Sequence, residues 1–196
     1  MIALRTYFPT LAARVGTTAD QLNEWLRALV TAKALKLRPG RGPGSGVELS
    51  SDSVAQVLLA LMASDIRKEA IVRAKLLAKA KPKGHSPSGL YLHDNLDGWP
   101  CPISGAKTLR EAIAAGLDGR ALHSQEKITL REILISRKSL SAKLFLARGS
   151  NESELVSFAA ADAIEDPPMP VTAKLGRDVL QAIAHDLRSL RTESIE

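Results

Sequence analysis

Apolar residues recur at helical spacing over the first eighty positions and at strand spacing further along. Residues 10–15 read as a short helix that stops at Gly16. A second helix opens at Thr17 or Thr18 and runs to about Ala32, with Leu22, Trp25, Leu26 and Leu29 on one face. After the Gly-rich stretch 39–46, Ser50, Ser51 and Asp52 offer N-caps for a third helix with an apolar stripe of Val54, Val57, Leu58, Leu61 and Met62. Ile66, Ala70, Ile71, Ala74 and Leu77 continue the helical pattern beyond a break at Ser64 and Asp65.

Downstream the pattern changes. Residues 109–117 predict a short helix, with Thr108 and Glu111 at capping-box spacing. Residues 128–136, 140–147 and 155–160 predict three strands separated by the turn-rich RKS and RGSNES, close enough for an antiparallel meander. After EDPPMP at 165–170, residues 171–190 predict a final amphipathic helix aligning Leu175, Val179, Leu180, Ile183, Leu187 and Leu190. The segment KAKPKGHSPSG at 79–89 has no core-forming period and reads as a basic linker. The expectation is an α+β chain: a helical domain over 1–80, a linker over 81–89, and a smaller α+β domain over 90–196 with a strand meander and a C-terminal helix.

Charge adds to this division. Residues 1–89 carry 14 Lys/Arg against 6 Asp/Glu, a net of +8, whereas residues 90–196 carry 13 against 15, a net of −2. A basic head on a near-neutral tail suits a polyanion partner for the head and an assembly or sensing role for the tail. A solvated basic surface is the competing reading. The single cysteine, Cys101, excludes an intramolecular disulfide. Arg5, Pro9 and Arg14 interrupt any signal-peptide core, and the longest apolar stretch, 54–63, is too short to cross a bilayer and contains Gln56. The expectation is a soluble, cytoplasmic, nucleoid-associated protein with no membrane contact.

The stretch LAARVGTTADQLNEWLR at 11–27 resembles a helix-turn-helix. Ala12 is small enough for two helices to cross closely, and Gly16 takes the positive φ of the turn without strain. With Leu22, Trp25, Leu26 and Leu29 turned inward, Thr18, Asp20, Gln21, Asn23, Glu24 and Arg27 are left outward. Asn and Gln pair bidentately with adenine and Arg with guanine. The next stretch, LKLRPGRGPGSGVEL at 35–49, resembles the wing of a winged helix, with short strands at 35–38 and 47–49 around a thin glycine tip. A phosphate-cradling loop is excluded, because no Lys-Ser/Thr follows the glycines and the GxGxxG spacing is not met. An ordinary helical hairpin and a plain disordered loop are the alternatives.

Helix-turn-helix, wing and a further helix is an order similar to that of MerR-like and excisionase-like DNA-binding domains, including regulators of phages and mobile elements. The resemblance covers roughly residues 3–62. It implies contacts to double-stranded DNA from Thr17, Thr18, Asp20, Gln21, Asn23, Glu24 and Arg27 on the recognition helix, and from Arg38 and Arg41 on the wing. The Arg-Tyr pair usual on MerR recognition helices is absent, as is a long coiled coil with metal-binding cysteines. Metal and drug sensing are therefore not carried over.

His85, His93 and Cys101 match no zinc-site spacing, and His123 and His185 have no partner motif for catalysis. No metal, cofactor or enzymatic activity is expected. The function expected is a sequence-specific transcription regulator acting as a homodimer, with residues 90–196 for oligomerisation or a protein partner. The alternatives are an architectural or packaging protein, excisionase-like or small-terminase-like, and an interaction protein without nucleic acid.

Overall fold

The computed structural model describes residues 2–38, 46–87, 94–124, 126–149, 153–161, 163 and 171–193. Helix α1 spans Leu4–Val15 and starts earlier than the expected residue 10. It passes through Pro9 because Leu4, Tyr7, Phe8 and Leu11 are all buried on one side, and that burial outweighs the backbone hydrogen bond lost at proline. Helix α2 spans Ala19–Thr31 and is opened by a Thr18 capping box with Gln21. Among the described residues between α2 and α3 (Ser51–Ala63), only isolated antiparallel bridges form, Arg38 with Gly46 and Ala3 with Glu48. The expected strands at 35–38 and 47–49 thus reduce to single bridges.

α3 is buried on nearly every side; only Asp52 and Leu61 of its residues are not. The sequence suggested a one-sided stripe, but α2, α4 (Arg67–Ala78), α5 (Leu109–Asp118) and the sheet all pack around α3, so Ala55 and Leu59 are as buried as Val54 and Leu58. The Thr108–Glu111 capping box of α5 forms as expected.

The strands are β1 (Lys81–Ser86), β2 (Asp94–Asn95), β3 (Ile128–Ser136), β4 (Ser141–Arg148), β5 (Glu154–Ala159) and β6 (Thr172–Leu175). They form one antiparallel sheet in the order β2-β1-β5-β4-β3-β6. The expected meander is β3-β4-β5. Two corrections lie at its flanks. Residues 81–86, read as linker, are strand β1, paired with β5 from Lys81↔Ala159 to Ser86↔Leu155. Lys81 and Lys83 face outward while Pro82 and Gly84 are buried. This strand is specified by its partner's backbone rather than by apolar side chains, which is why its composition concealed it. A register shift between Pro82 and Gly84 accommodates the missing proline N–H.

The second correction concerns the final helix. Thr172–Leu175 pairs with β3, placing Leu175 opposite Ile133, and α6 begins only at Arg177, running to Glu193. Its buried stripe is Leu180, Ile183, Ala184 and Leu187. This stripe is covered by α1, α5 and β3 of the same chain.

The buried residues of 1–80 and 90–196 form one continuous cluster, from Leu4 through α3 to Leu187. Polar ties reinforce the junction. Arg110 on α5 clamps Asp52 on α3 with two 2.6 Å hydrogen bonds. Arg137, in the β3-β4 turn, donates to the α3 carbonyl of Met62 at 3.0 Å and pairs with Asp65. On the other side, Asp186 of α6 accepts from Tyr7 at 3.2 Å and from Arg14 at 3.2 and 3.3 Å. Gly116 marks a close approach of α5 to the sheet: a Cβ there would lie 2.6 Å from Cβ of Leu130.

Candidate nucleic-acid interface

The turn between α1 and α2 is built as the sequence demands. Gly16 sits at φ 72° and ψ 38°, and its N–H closes the last turn of α1 on the Ala12 carbonyl. Thr18 then accepts from the Gln21 N–H at 3.2 Å, while the Gln21 side chain accepts from the Thr18 N–H at 3.4 Å. Thr17 Oγ1 also reaches the Gln21 side-chain oxygen. Of the expected reading residues, Thr17, Thr18 and Gln21 are therefore joined in the cap.

The other expected contacts on α2 divide differently. Asp20, Glu24 and Arg27 are exposed and fall four and three residues apart, so they share one face with Thr31; Asn23 is half-buried beside them. Glu24 is ion-paired with Arg67 at the start of α4. Arg38 lies at the root of the loop, bridged through its backbone to Gly46 and ion-paired with Glu48 at 2.6 Å. Arg41 lies outside the described residues, as does the rest of 39–45.

Two residues from a distant part of the chain complete this surface. Arg67 meets Glu24, and Lys75 Nζ donates to the Ala32 carbonyl at 3.0 Å, capping the end of α2. Both contacts span 43 residues, so α2 and α4 lie side by side and run the same way. Lys68, Val72, Lys75 and Lys79 are exposed at spacings of four, three and four, one face of α4. Lys33 and Lys36 follow α2 and are exposed as well. The result is an outer surface that joins the polar face of α2 to α4, with exposed lysines on α4 and exposed Lys36 and Arg38 beyond the end of α2. Fixed cations of this density attract a polyanion by counterion release.

The basic loop residues Lys33 and Lys36 were visible in the sequence, and the α4 lysines share the polar side of the stripe through Ala70 and Leu77. The neighbourhood of Arg67 and Glu24 had no sequence signal, since it depends on how two helices pack.

Of the residues considered for a metal, His85 and Cys101 are each engaged elsewhere. His85 is buried and bonded to Glu154 at 2.8 Å. Cys101 is buried in a turn, where its N–H donates to the Ala106 carbonyl and its carbonyl accepts from the Gly105 N–H. His93 lies outside the described residues. No group of three or more His, Cys, Asp or Glu is placed to hold a metal ion among the described residues. Nor, among them, is any helix long and apolar enough to cross a membrane.

No protein-family model matches the chain. No curated protein and no solved structure matches it either.

Proposed function

We propose that this chain is a sequence-specific double-stranded-DNA-binding transcription regulator of the winged helix-turn-helix kind, similar to those of phages and mobile elements. The observation that carries the reading is the open polar face of α2, set behind a glycine turn and bordered by cations of α4 and of the loop root. α2 enters the major groove, where Asn23 and Arg27 reach base edges. Lys68, Lys36 and Arg38 hold the phosphates on either side. Glu24 and Asp20 disfavour phosphate close to the helix and so orient the duplex. Arg41 extends the loop contact. The chain acts without a cofactor and without catalysis of its own.

A single small module binds weakly, and a homodimer presents two copies of α2 to two half-sites. Dimerisation or a protein partner is assigned to residues 90–196. The apolar stripe of α6 is buried within the chain, so the proposed contact draws on other surfaces of residues 90–196.

The test is selection of bound duplexes from a random pool, followed by affinity measurement on the selected sequence. Asn23→Ala and Arg27→Ala each remove about 1–3 kcal/mol of specific binding, roughly a 5- to 150-fold loss, with little change on random DNA. Lys68→Ala weakens both alike and makes the salt dependence shallower. An unenriched pool, or selected-site affinity unchanged in both α2 variants, removes the proposal. Sedimentation velocity on the full chain decides the dimer.

A further inference from the structure

A cleft of about 940 Å³ lies between the C-terminal end of α5, the first residues of β3 and α6, a size that suits a small ligand. It opens because β6 pairs with β3 only from Ile133 onward, so Ile128, Thr129 and Leu130 line the cleft instead of meeting a strand on that side. Arg120 and Lys127 line it from the two ends of the α5–β3 connection, and Arg188 from α6. His185 also lines it, exposed and beside Asp186. Asp118 is the one carboxylate lining the cleft among the described residues. It is already engaged, accepting 2.6 Å bonds from Ser51 and from Arg191.

The three cations are set against one another. Arg120 and Lys127 are direct partners in an antiparallel bridge, so their side chains leave the same face side by side, and like charges so placed are destabilising. Arg188 comes to the same spot from α6. Its Nη1 lies 3.3 Å from where a Cβ on Gly119 would stand, and Gly119 directly precedes Arg120. The Ile128 N–H donates to the Gly119 carbonyl at 3.0 Å and fixes this geometry beside Lys127. Among the described residues, none of the three side chains has an ion-pair or hydrogen-bond partner. Three positive charges held together without a counter-charge raise the energy of the folded chain, and an anion seated among them lowers it. Two of them are arginines, whose planar guanidinium holds a phosphate through paired hydrogen bonds. Thr129 of β3 and Gln181 of α6, both half-buried, line the cleft as well. They offer a hydroxyl and an amide to the polar body of a ligand larger than phosphate itself.

We propose that this cleft binds a small phosphate ester, its phosphate held by Arg120, Lys127 and Arg188 and its polar body by Thr129 and Gln181. The inference stands apart from the DNA-binding reading, because none of these residues lies on α2, on α4 or at the loop root.

The test is a titration of the full-length, ¹⁵N-labelled chain at constant ionic strength with ribose 5-phosphate, inorganic phosphate and ribose, chloride serving as the control. Ribose 5-phosphate is expected to give a saturable shift of the Gly119, Arg120, Thr129 and Gln181 signals, with Kd on the order of 1 mM. Inorganic phosphate binds there at least about fivefold more weakly, and ribose not at all. The double variant Arg120→Gln/Lys127→Gln changes two exposed residues, and its fold is checked by the same spectrum. It weakens binding of the ester at least about tenfold. Because it removes the like-charge pair, it also leaves the urea midpoint of the free protein unchanged or higher. Lys143→Gln, at an exposed lysine of β4 outside the cleft, changes neither. Shifts that follow ionic strength alone, or an ester affinity unchanged in the double variant, overturn the proposal. So does a lowered urea midpoint, which would show that the fold itself already satisfies the two cations. Inorganic phosphate binding as tightly as the ester overturns it as well. A random-sequence DNA duplex that shifts these signals, and not only those of α2, would place the cations on a nucleic-acid surface and overturn it too.

Discussion

Two residues show how an environment overrides an intrinsic preference. Gly116 lies inside α5, where alanine would ordinarily raise helix stability by about 1 kcal/mol. Here the added methyl would meet Leu130 Cβ at 2.6 Å, an atom fixed to the backbone of β3 that cannot swing aside. Gly116→Ala therefore destabilises the protein, by about 1–3 kcal/mol, as overpacked cores do; urea unfolding measures it, and a gain in stability refutes the packing argument. Tyr7 is the second case. Burial, reinforced by the charge and the hydrogen bond of Asp186, holds its hydroxyl pKa above the ordinary value. The unfolded chain consequently releases this proton first, at about pH 10, and above that pH the folded state holds more protons than the unfolded one. Stability is independent of this group below about pH 9 and falls as pH rises beyond about 10. Tyr7→Phe costs about 1 kcal/mol at neutral pH and flattens the alkaline decline. Equal alkaline slopes in the two proteins would show that Tyr7 is not its source.

At the scale of elements, three helix starts and two helix ends follow from local chemistry that can be read in the chain. Thr18, Ser50 and Thr108 each open a helix with a capping box, and Gly16 and Gly119 each close one in the left-handed conformation. Thr18→Ala removes the acceptor for the Gln21 N–H, which costs about 1 kcal/mol of stability. Because the cap holds Thr17 and Gln21 in place, the same change also alters the surface at the start of α2. Chemical denaturation reads the first effect, and an unchanged midpoint shows that the cap contributes nothing. The strands divide in the opposite way. The apolar alternation of β3, β4 and β5 predicts them, whereas Lys-Pro-Lys-Gly-His-Ser predicts a linker and is β1. Thr172–Leu175 shares its apolar residues with the helix that follows, and only the free edge of β3 makes it a strand.

At the scale of the whole molecule, α3 decides how separable the parts are. Its faces toward α5 and the sheet are covered by residues beyond 80, and the Leu109 N–H bonds to the Ala80 carbonyl. A fragment of residues 1–80 uncovers those faces of a helix that is buried on nearly every side in the full chain. It is expected to lose cooperative unfolding and to aggregate, and protease is expected to spare 81–86, where β1 is paired with β5 along its length and with β2 at Gly84 and His85. A folded 1–80 fragment by circular dichroism and heteronuclear NMR would instead show that the N-terminal helices hold a core of their own. By itself the sequence determined the helices, their caps, the glycine turn before α2, the meander and the basic excess of the first half. Each of those follows from neighbours within a turn or two, or from alternation along a single strand. Only the tertiary structure decided that α3 is central, that 81–86 and 172–175 join the sheet, that Glu24 meets Arg67, and that Arg120, Lys127 and Arg188 share a cleft. Those facts depend on which surfaces far apart in the chain exclude water together, and on backbone hydrogen bonds that any side chain allows; local periodicity records neither.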